Sequence, residues 1–516
     1  MWLQEHIYRQ RGEAIMTEGV LGFKYEEEKT TQGLTALGGL PLYLDLARVL
    51  GLSESVQKYV RVREGTQGYT DGQMITALML LNLAGGDCVD DLRVLEADEG
   101  FCRVLRRVEL QGMKRQERRA LERRWRKERR RAVPSPSAAF RYLSAFHDEA
   151  QESGRQAGKA FIPGANEPLR GLAQVNLDLV AWVQSRSPEA TATLDLDATL
   201  VSTGKQEALY GYKGFKAYQP LNVYWAEQEL LLFTEFRDGN VPAGFEKLRV
   251  LQEALELLPQ GVKRVRVRTD TAGYQHELLR YCESGENRRF GRLEFAVGCD
   301  VTPAFKQAVA EVEESAWRPL AGAESGREWA EVCFVPNAAG HSKKGPAYRY
   351  LATREVLRQA ELPGLGVEPS LPFPSMTWNT RRYKVFGLVS NMDWDGGELI
   401  SWSYGRCGKS EAAHSVMKED LAGGKLPSGD FGVNAAWWWI MILALNLNAA
   451  MKRLVLGGSW VSKRLKAVRF ALINLAGRVL ERSRTLIIRL SGGHPSLEIL
   501  LEARRRIAAM AAVPRG

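Results

Sequence analysis

Three carboxylates in this chain stand in contexts suited to holding divalent cations. Asp197 lies in T-L-D-L-D-A-T and Asp270 closes V-K-R-V-R-V-R-T-D, two runs that alternate as strands do. Glu411 opens E-A-A-H-S-V-M-K, which is spaced as a helix. Acids on two strands and one helix meet only if the fold brings them together. Hard carboxylate oxygens suit Mg²⁺, and a pair of such ions can clamp the attacking and leaving oxygens of a phosphoryl transfer. Two alternatives stay open at this level. Asp195 is two residues from Asp197 on the same strand face and is a rival ligand. Asp270, at a strand end, serves equally well as the cap of the turn that follows.

The surroundings of Glu411 favour a phosphate. Lys418 is seven residues on, two helical turns, and shares its face, with His414 and Ser415 between them. Tyr404 and Arg406 lie just upstream in S-W-S-Y-G-R-C-G-K-S. Glu419 and Asp420 are alternative acids, but they point off the Glu411–Lys418 line.

The rest of the chain is basic where DNA would be held and acidic between. Its 516 residues carry a formal charge of +10, and the pI is about 9.2. Lys114–Arg131 holds eleven Lys/Arg against three Glu, and Lys452–Arg515 holds fourteen against three, which leaves a net −9 on the remainder. Charge this lopsided suits contact with phosphates, with Arg118, Arg119, Arg123, Arg124, Lys463 and Arg464 as candidates. A solvated charge run is the plain alternative. Six scattered cysteines without a C-x-x-C fit neither a zinc site nor a disulfide framework, and a reducing cytoplasm is expected. The first residues show no apolar stretch, so no signal peptide is expected. Trp437–Leu445 is too short to span a membrane and reads as a buried core helix.

The elements that must position the acids follow a telling order. Residues 1–150 read as a helical region, with a loose arm to about 31 and a basic arm at 114–131. Within 151–324 come a helix at 172–183 and a strand at 192–197. A strand pair follows at 221–225 and 230–236, then a helix at 245–258 and the strand ending at Asp270. A helix, a strand at 293–297 and a helix at 303–316 complete it. This β-β-β-α-β-α-β-α order is that of the ribonuclease-H-like fold of the retroviral integrase superfamily, in which the first and fourth strands are neighbours. Residues 325–400 read as a β-rich insertion, 401–450 as completion of the core, and 451–516 as a basic helical region. The expected class is therefore α/β, with helical DNA-binding regions at both ends.

The chain resembles the DDE transposases of bacterial insertion sequences. In the hairpin-forming cut-and-paste branch the third acid lies in a signature of Tyr, two residues, Arg, three residues, Glu, six residues, Lys. Tyr404, Glu411 and Lys418 match it; Cys407 occupies the Arg slot and Arg406 is one place early. D-L-D-A-T, R-T-D-T-A-G-Y, L-P-S-G-D-F-G-V-N-A-A-W and L-A-L-N-L together resemble the thirteen-eighty insertion-sequence family, itself distantly similar to piggyBac transposases.

That resemblance implies two Mg²⁺ ions, with Mn²⁺ as a substitute, held by Asp197, Asp270 and Glu411. It implies end cleavage, a hairpin intermediate and strand transfer at one site, with Tyr404, Arg406 and Lys418 holding phosphates. It implies an aromatic in the β-rich insertion that stacks a flipped base, with Trp378 and Trp394 as candidates. The partners implied are terminal inverted repeats and target DNA, bound by a homodimer in a synaptic complex in the bacterial cytoplasm, with no membrane and no nucleotide cofactor. An inactive DNA-binding relative and a nuclease without strand transfer are the alternatives.

Overall fold

The computed structural model describes residues 32–512 except 64, 66, 125–130, 157, 322–325, 335, 337–347, 358–372, 379–380 and 484. It also describes the backbone of a short strand pair, Met16–Glu18 with Lys24–Glu26, while the Cys407 side chain is not described. Most of the arm at 1–31, part of the basic run and the linkers around 340 and 365 lie outside these residues.

A ten-stranded mixed sheet organises the chain. Its spatial order runs Leu230–Glu235, Leu221–Trp225, Thr191–Ala198, Arg264–Thr269 and Glu294–Cys299. It continues through Arg381–Ser390, Arg349–Val356, Glu328–Val332 and Arg318–Pro319. The Asp197 strand is parallel to Arg264–Thr269, which is parallel to Glu294–Cys299; the remaining pairs are antiparallel. The strands of the 325–400 segment do not stand apart. Arg381–Ser390 pairs directly with Glu294–Cys299, so they extend the same sheet, and Ser375–Trp378 pairs with the outer half of that strand.

Alternation decides the faces. Leu194 and Leu196 are fully buried on one side, with Val265, Val267 and Thr269 beside them. Thr193, Asp195 and Asp197 point to the other side, level with Arg266 and Arg268. The helix Lys247–Glu256 covers the apolar face with Val250, Leu251, Ala254 and Leu255. Two helices cover the polar face. Gly396–Ser415 is one, and Phe431–Ala450, in which all twenty residues are buried, is the other. The second packs on Glu167–Arg186 and Asp71–Ala84, so the W-W-W-I-M-I-L-A-L run is the core helix its length implied.

The Glu411 helix and the C-terminal region also differ from the sequence reading. Glu411 does not open a helix: the helix starts at Gly396, capped by Asp395 Oδ1, which accepts from the Gly397 and Glu398 amides. Gly405 and Gly408 have low helix propensity, yet a Cβ at Gly405 would come within 3.3 Å of Arg268 Nη1, so the glycine lets the helix approach the sheet. The C-terminal region is also not wholly helical. Gly477–Arg482 and Thr485–Leu490 form a hairpin that pairs with Leu34–Thr35 across more than 440 residues of chain.

Candidate active site

The two aspartates of T-L-D-L-D share a face but not an environment. Asp195 is fully buried and takes a bidentate pair from Arg268, Nε to Oδ1 at 2.6 Å and Nη2 to Oδ2 at 2.8 Å. The remaining Arg268 nitrogen donates to the Trp402 carbonyl at 2.6 Å, so the guanidinium bolts the helix to the sheet. Burial pushes the Asp195 carboxyl up more than Arg268 pulls it down. With both oxygens occupied by one guanidinium, Asp195 is a structural acid. Asp197, one pleat further toward the strand end, keeps an oxygen for other work. Arg406 Nη1 donates to its Oδ2 at 2.9 Å, and among the described residues Oδ1 accepts no protein hydrogen bond.

Asp270 follows the last residue of the neighbouring parallel strand. Its Oδ1 takes the Lys247 ammonium at 3.0 Å, and the same Nζ donates to Thr269 Oγ1 at 2.6 Å. Lys247 is fully buried, yet Asp270 is partly open to solvent and its Oδ2 accepts no protein hydrogen bond among the described residues. Burial pushes the Asp270 carboxyl up, but the Lys247 ammonium outweighs it and the net shift is downward. Burial pulls the Lys247 pKa down as well, against the charge of Asp270.

Glu411 lies in the last turns of the helix that crosses Asp197, exposed to solvent. Asp197 feels both other acids through their charge, Glu411 least. The Asp197 carboxyl is raised to about 6, first by burial and then by the charges of Asp270 and Glu411, against the pull of Arg406 and Lys247. Beyond Ser415 the helix widens into a π-turn, Val416–Asp420, that carries Lys418. Such turns are uncommon and cluster at functional sites.

Behind Asp197 runs a chain of hydrogen bonds whose direction is set by the placement of the Asn222 amide. Asp197, Asn222 and Thr234 stand side by side on three adjacent strands, because the registers pair Asp197 with Asn222 and Asn222 with Thr234. Trp438 Nε1 can only donate, and it does so to Thr234 Oγ1 at 3.1 Å. Asn222 Oδ1 can only accept, so the Thr234 hydroxyl, 2.7 Å away, donates to it. The Asn222 amide nitrogen is left to donate to His414 Nε2 at 3.1 Å. The imidazole proton is therefore on Nδ1, which faces Asp197 Oδ2 at 3.9 Å. Burial, with Lys418 and Arg406 nearby, pushes the His414 pKa down to about 3, so the ring is neutral.

The other candidates sit as follows. Tyr404 hydrogen-bonds Thr353 of the sheet extension at 3.2 Å. Trp378 lies against the Arg354 guanidinium at 4.7 Å, in a cluster with Trp317 and Tyr383. Trp394 stacks edge-on with Trp402 and faces Arg266 at 4.7 Å. Arg464 is tied to Asp420, with Nη2 at 2.7 Å from Oδ1, and Lys463 lies 4.0 Å over Trp460. Arg118, Arg119 and Arg123 are exposed on a helix, Arg115–Arg123, that buries no residue, whereas Arg124 turns inward to the Gly68 carbonyl.

The family model described as transposase DDE domain group 1 matches residues 24–512. The chain belongs to this family. No curated protein matches it. Among solved structures it is similar to a piggyBac transposase, determined by cryo-electron microscopy as a synaptic complex with hairpin DNA. That likeness has a TM-score of 0.41 and 11% identity, over 94% of this chain and 83% of that one.

For a DDE transposase the question is whether these acids suit divalent ions. The donor chemistry does: among the described residues Asp197 Oδ1 and Asp270 Oδ2 are unclaimed carboxylate oxygens, and burial with the nearby acids already resists ionisation of Asp197. Their inner oxygens are held by Arg406 and Lys247 instead, and among the described residues no three acidic, His or Cys side chains are drawn tightly enough to chelate an ion. The acids stand as a set kept by two internal cations. Sequence reasoning passed over Lys247, although it had a signal: a lysine on the buried stripe of Lys247, Val250, Leu251, Ala254 and Leu255. It also passed over Asn222 and Thr234, which carry no local signal.

Proposed function

We propose that this DDE transposase carries out metal-dependent cut-and-paste transposition through a ribonuclease-H-like core. What supports this reading is the placement of Asp197 and Asp270 at the ends of adjacent strands, beneath the helix that carries Glu411. The charge of Glu411 reaches Asp197. Asp197, Asp270 and Glu411 would hold two Mg²⁺ or Mn²⁺ ions. Bound there, such ions supply an activated nucleophile and stabilise charge on the phosphate under attack.

The chain's own residues do the rest. Lys247 fixes Oδ1 of Asp270 so that Oδ2 faces outward. Arg406 holds Oδ2 of Asp197, and the neutral His414 stands 3.9 Å from the same oxygen. Lys418 and Arg406 supply positive charge for the scissile phosphate. Arg118, Arg119 and Arg123 supply it for flanking duplex. In this reading the enzyme cuts its element's terminal repeats, passes through a hairpin, joins the ends to target DNA, and acts as a homodimer in the bacterial cytoplasm.

The test is excision in cells from a plasmid that carries the gene with its flanking DNA, read by amplification across the empty donor site. Wild type yields sealed donor sites, and Asp270→Asn yields none while its protein level is unchanged. Excision that persists in Asp270→Asn overturns the assignment of the acids. Cleaved ends that never join target DNA leave a nuclease.

A further inference from the structure

Three of the nine exposed large hydrophobic side chains among the described residues fall within six residues of one another. Tyr210 is 64% exposed, Tyr212 75% and Phe215 38%. They sit on a small three-stranded sheet made of Val201–Ser202, Leu209–Tyr210 and Lys216–Tyr218, strands too short for alternation to reveal in the sequence. An unexplained exposed cluster of rings points to a binding surface rather than to scatter.

Placement and rigidity make this surface specific. The sheet leaves the chain three residues after the Asp197 strand ends and returns just before Leu221, whose neighbour Asn222 pairs with Asp197. Its root is anchored. Tyr218 is buried, stacks on Phe236 with centroids 5.0 Å apart, and donates to the Gly429 carbonyl at 3.3 Å. Lys205 donates to the Pro427 carbonyl at 3.2 Å. Its tip is a tight G-Y-K-G turn, closed by the Gly211 amide on the Phe215 carbonyl at 2.9 Å, with Gly214 in the left-handed region at φ +78. Only glycine takes that φ without strain. The rings are thus held out from a rigid base at the Asp197 end of the sheet.

The charge selects the occupant. Lys213 lies 5.8 Å over Tyr212, and Lys216 lies 6.0 Å over Tyr210. Rings interleaved with lysines match single-stranded nucleic acid, whose bases stack while its phosphates meet ammonium groups. We propose that this sheet is a stacking platform for unpaired bases of the DNA strand at the active site. The proposal rests on the transposase reading, which creates unpaired DNA beside Asp197, and it names where that strand is held.

The experiment uses the full chain and two probes, a 20-nucleotide oligothymidylate and a 20-base-pair dA·dT duplex, with affinity read by fluorescence anisotropy. Tyr210→Ala/Tyr212→Ala is expected to weaken oligothymidylate binding at least tenfold and duplex binding less than threefold, since each lost ring is worth about tenfold. A single strand carrying 5-iododeoxyuridine, cross-linked by light to the wild-type chain, is expected to mark Tyr210, Tyr212 or Phe215; this needs no variant to fold. Equal losses on both probes overturn stacking, as do cross-links confined elsewhere. Rings that instead mediate self-association, seen as a concentration-dependent mass lost in the variant, also overturn it. If the wild type binds neither probe, the transposase reading fails; if it binds both but the variant changes neither affinity, only the platform fails.

Discussion

Replacing Thr234 by valine tests the hydrogen-bond chain behind Asp197 with little change of shape. Valine keeps the branched outline and removes one hydroxyl. That hydroxyl accepts from Trp438 Nε1 at 3.1 Å and donates to Asn222 Oδ1 at 2.7 Å. Thr234, Asn222 and Trp438 are each at most 2% exposed, so water cannot take its place without rearrangement. The substitution strands one buried donor and one buried acceptor, each costing about 1–3 kcal/mol. The expected loss of stability is therefore about 2–6 kcal/mol. Thr234→Ser keeps the hydroxyl and gives up one buried methyl, for a loss of about 1 kcal/mol. Urea denaturation of wild type, valine and serine variants, with unchanged slopes, gives the comparison directly. The consequence for chemistry should follow the same order. With Asn222 free to turn over, His414 no longer has a fixed Nδ1 proton toward Asp197. Loss of partners that orient ligand groups commonly costs about 10–100-fold in metal affinity or activity. Because Thr234 acts two bonds away, we expect about tenfold weaker Mn²⁺ binding in the valine variant and near wild-type binding in the serine variant. A valine variant within about 0.5 kcal/mol of wild type would refute the hydrogen-bond chain, because the groups would then have other partners.

The two aspartates of one strand should respond oppositely. Asp195→Asn leaves the Arg268 charge buried and unpaired, and should destabilise by about 3–5 kcal/mol or yield no folded protein. Asp197→Asn should be neutral or stabilising at pH 7, because burial and its acidic neighbours already oppose its ionisation. The sign follows from linkage. Asp197 takes up a proton near pH 6 in the folded chain but near 4 when unfolded, so metal-free wild type should gain up to about 3 kcal/mol as pH falls from 7 to 4. Asp197→Asn should lack that gain in urea titrations run at each pH. Lys247→Met should cost at most about 1–2 kcal/mol, since Asp270 is partly solvated, yet weaken Mn²⁺ binding by about 10–100-fold in calorimetry; unaltered Mn²⁺ affinity would show that Lys247 only fills space. Arg118→Gln/Arg119→Gln/Arg123→Gln should reduce the slope of log affinity for duplex DNA against log salt by about 1 for each phosphate no longer neutralised, and an unchanged slope would make that helix a solvated face.

How far the sequence showed this depends on the range of each interaction. The strands carrying Asp197 and Asp270 were legible because their alternation is local, and their adjacency followed from element order. The start of the Glu411 helix was misplaced for the opposite reason. Gly405 and Gly408 have low helix propensity, but the helix runs through them because Arg268, Trp402 and Arg406 fasten it to the sheet. The partners of Asp197 were beyond local reading. His414 meets Asn222 across 192 residues and Trp438 meets Thr234 across 204, contacts that exist only once register is set. The continuation of the sheet through Arg381–Ser390 was hidden similarly, since alternation reveals a strand but not its neighbour.

Depth along one strand explains why two identical residues took different roles. At Asp195 the strand is covered by the Glu411 helix, and a carboxylate there needs a partner that fills both oxygens; Arg268 from the next strand does so. One pleat on, the strand nears its end and the cover consists of Arg406 and His414, which meet Asp197 through one oxygen. Asp270 repeats this arrangement with Lys247. Both site acids are thus gripped on their inner oxygen by a cation of the fold and, among the described residues, bare on the outer one. A carboxylate held in this way cannot rotate freely, yet keeps a lone-pair face for a ligand. Removing the inner cation should therefore harm ligand binding more than it harms folding. The Asp195–Arg268 pair, with no bare oxygen, should show the reverse.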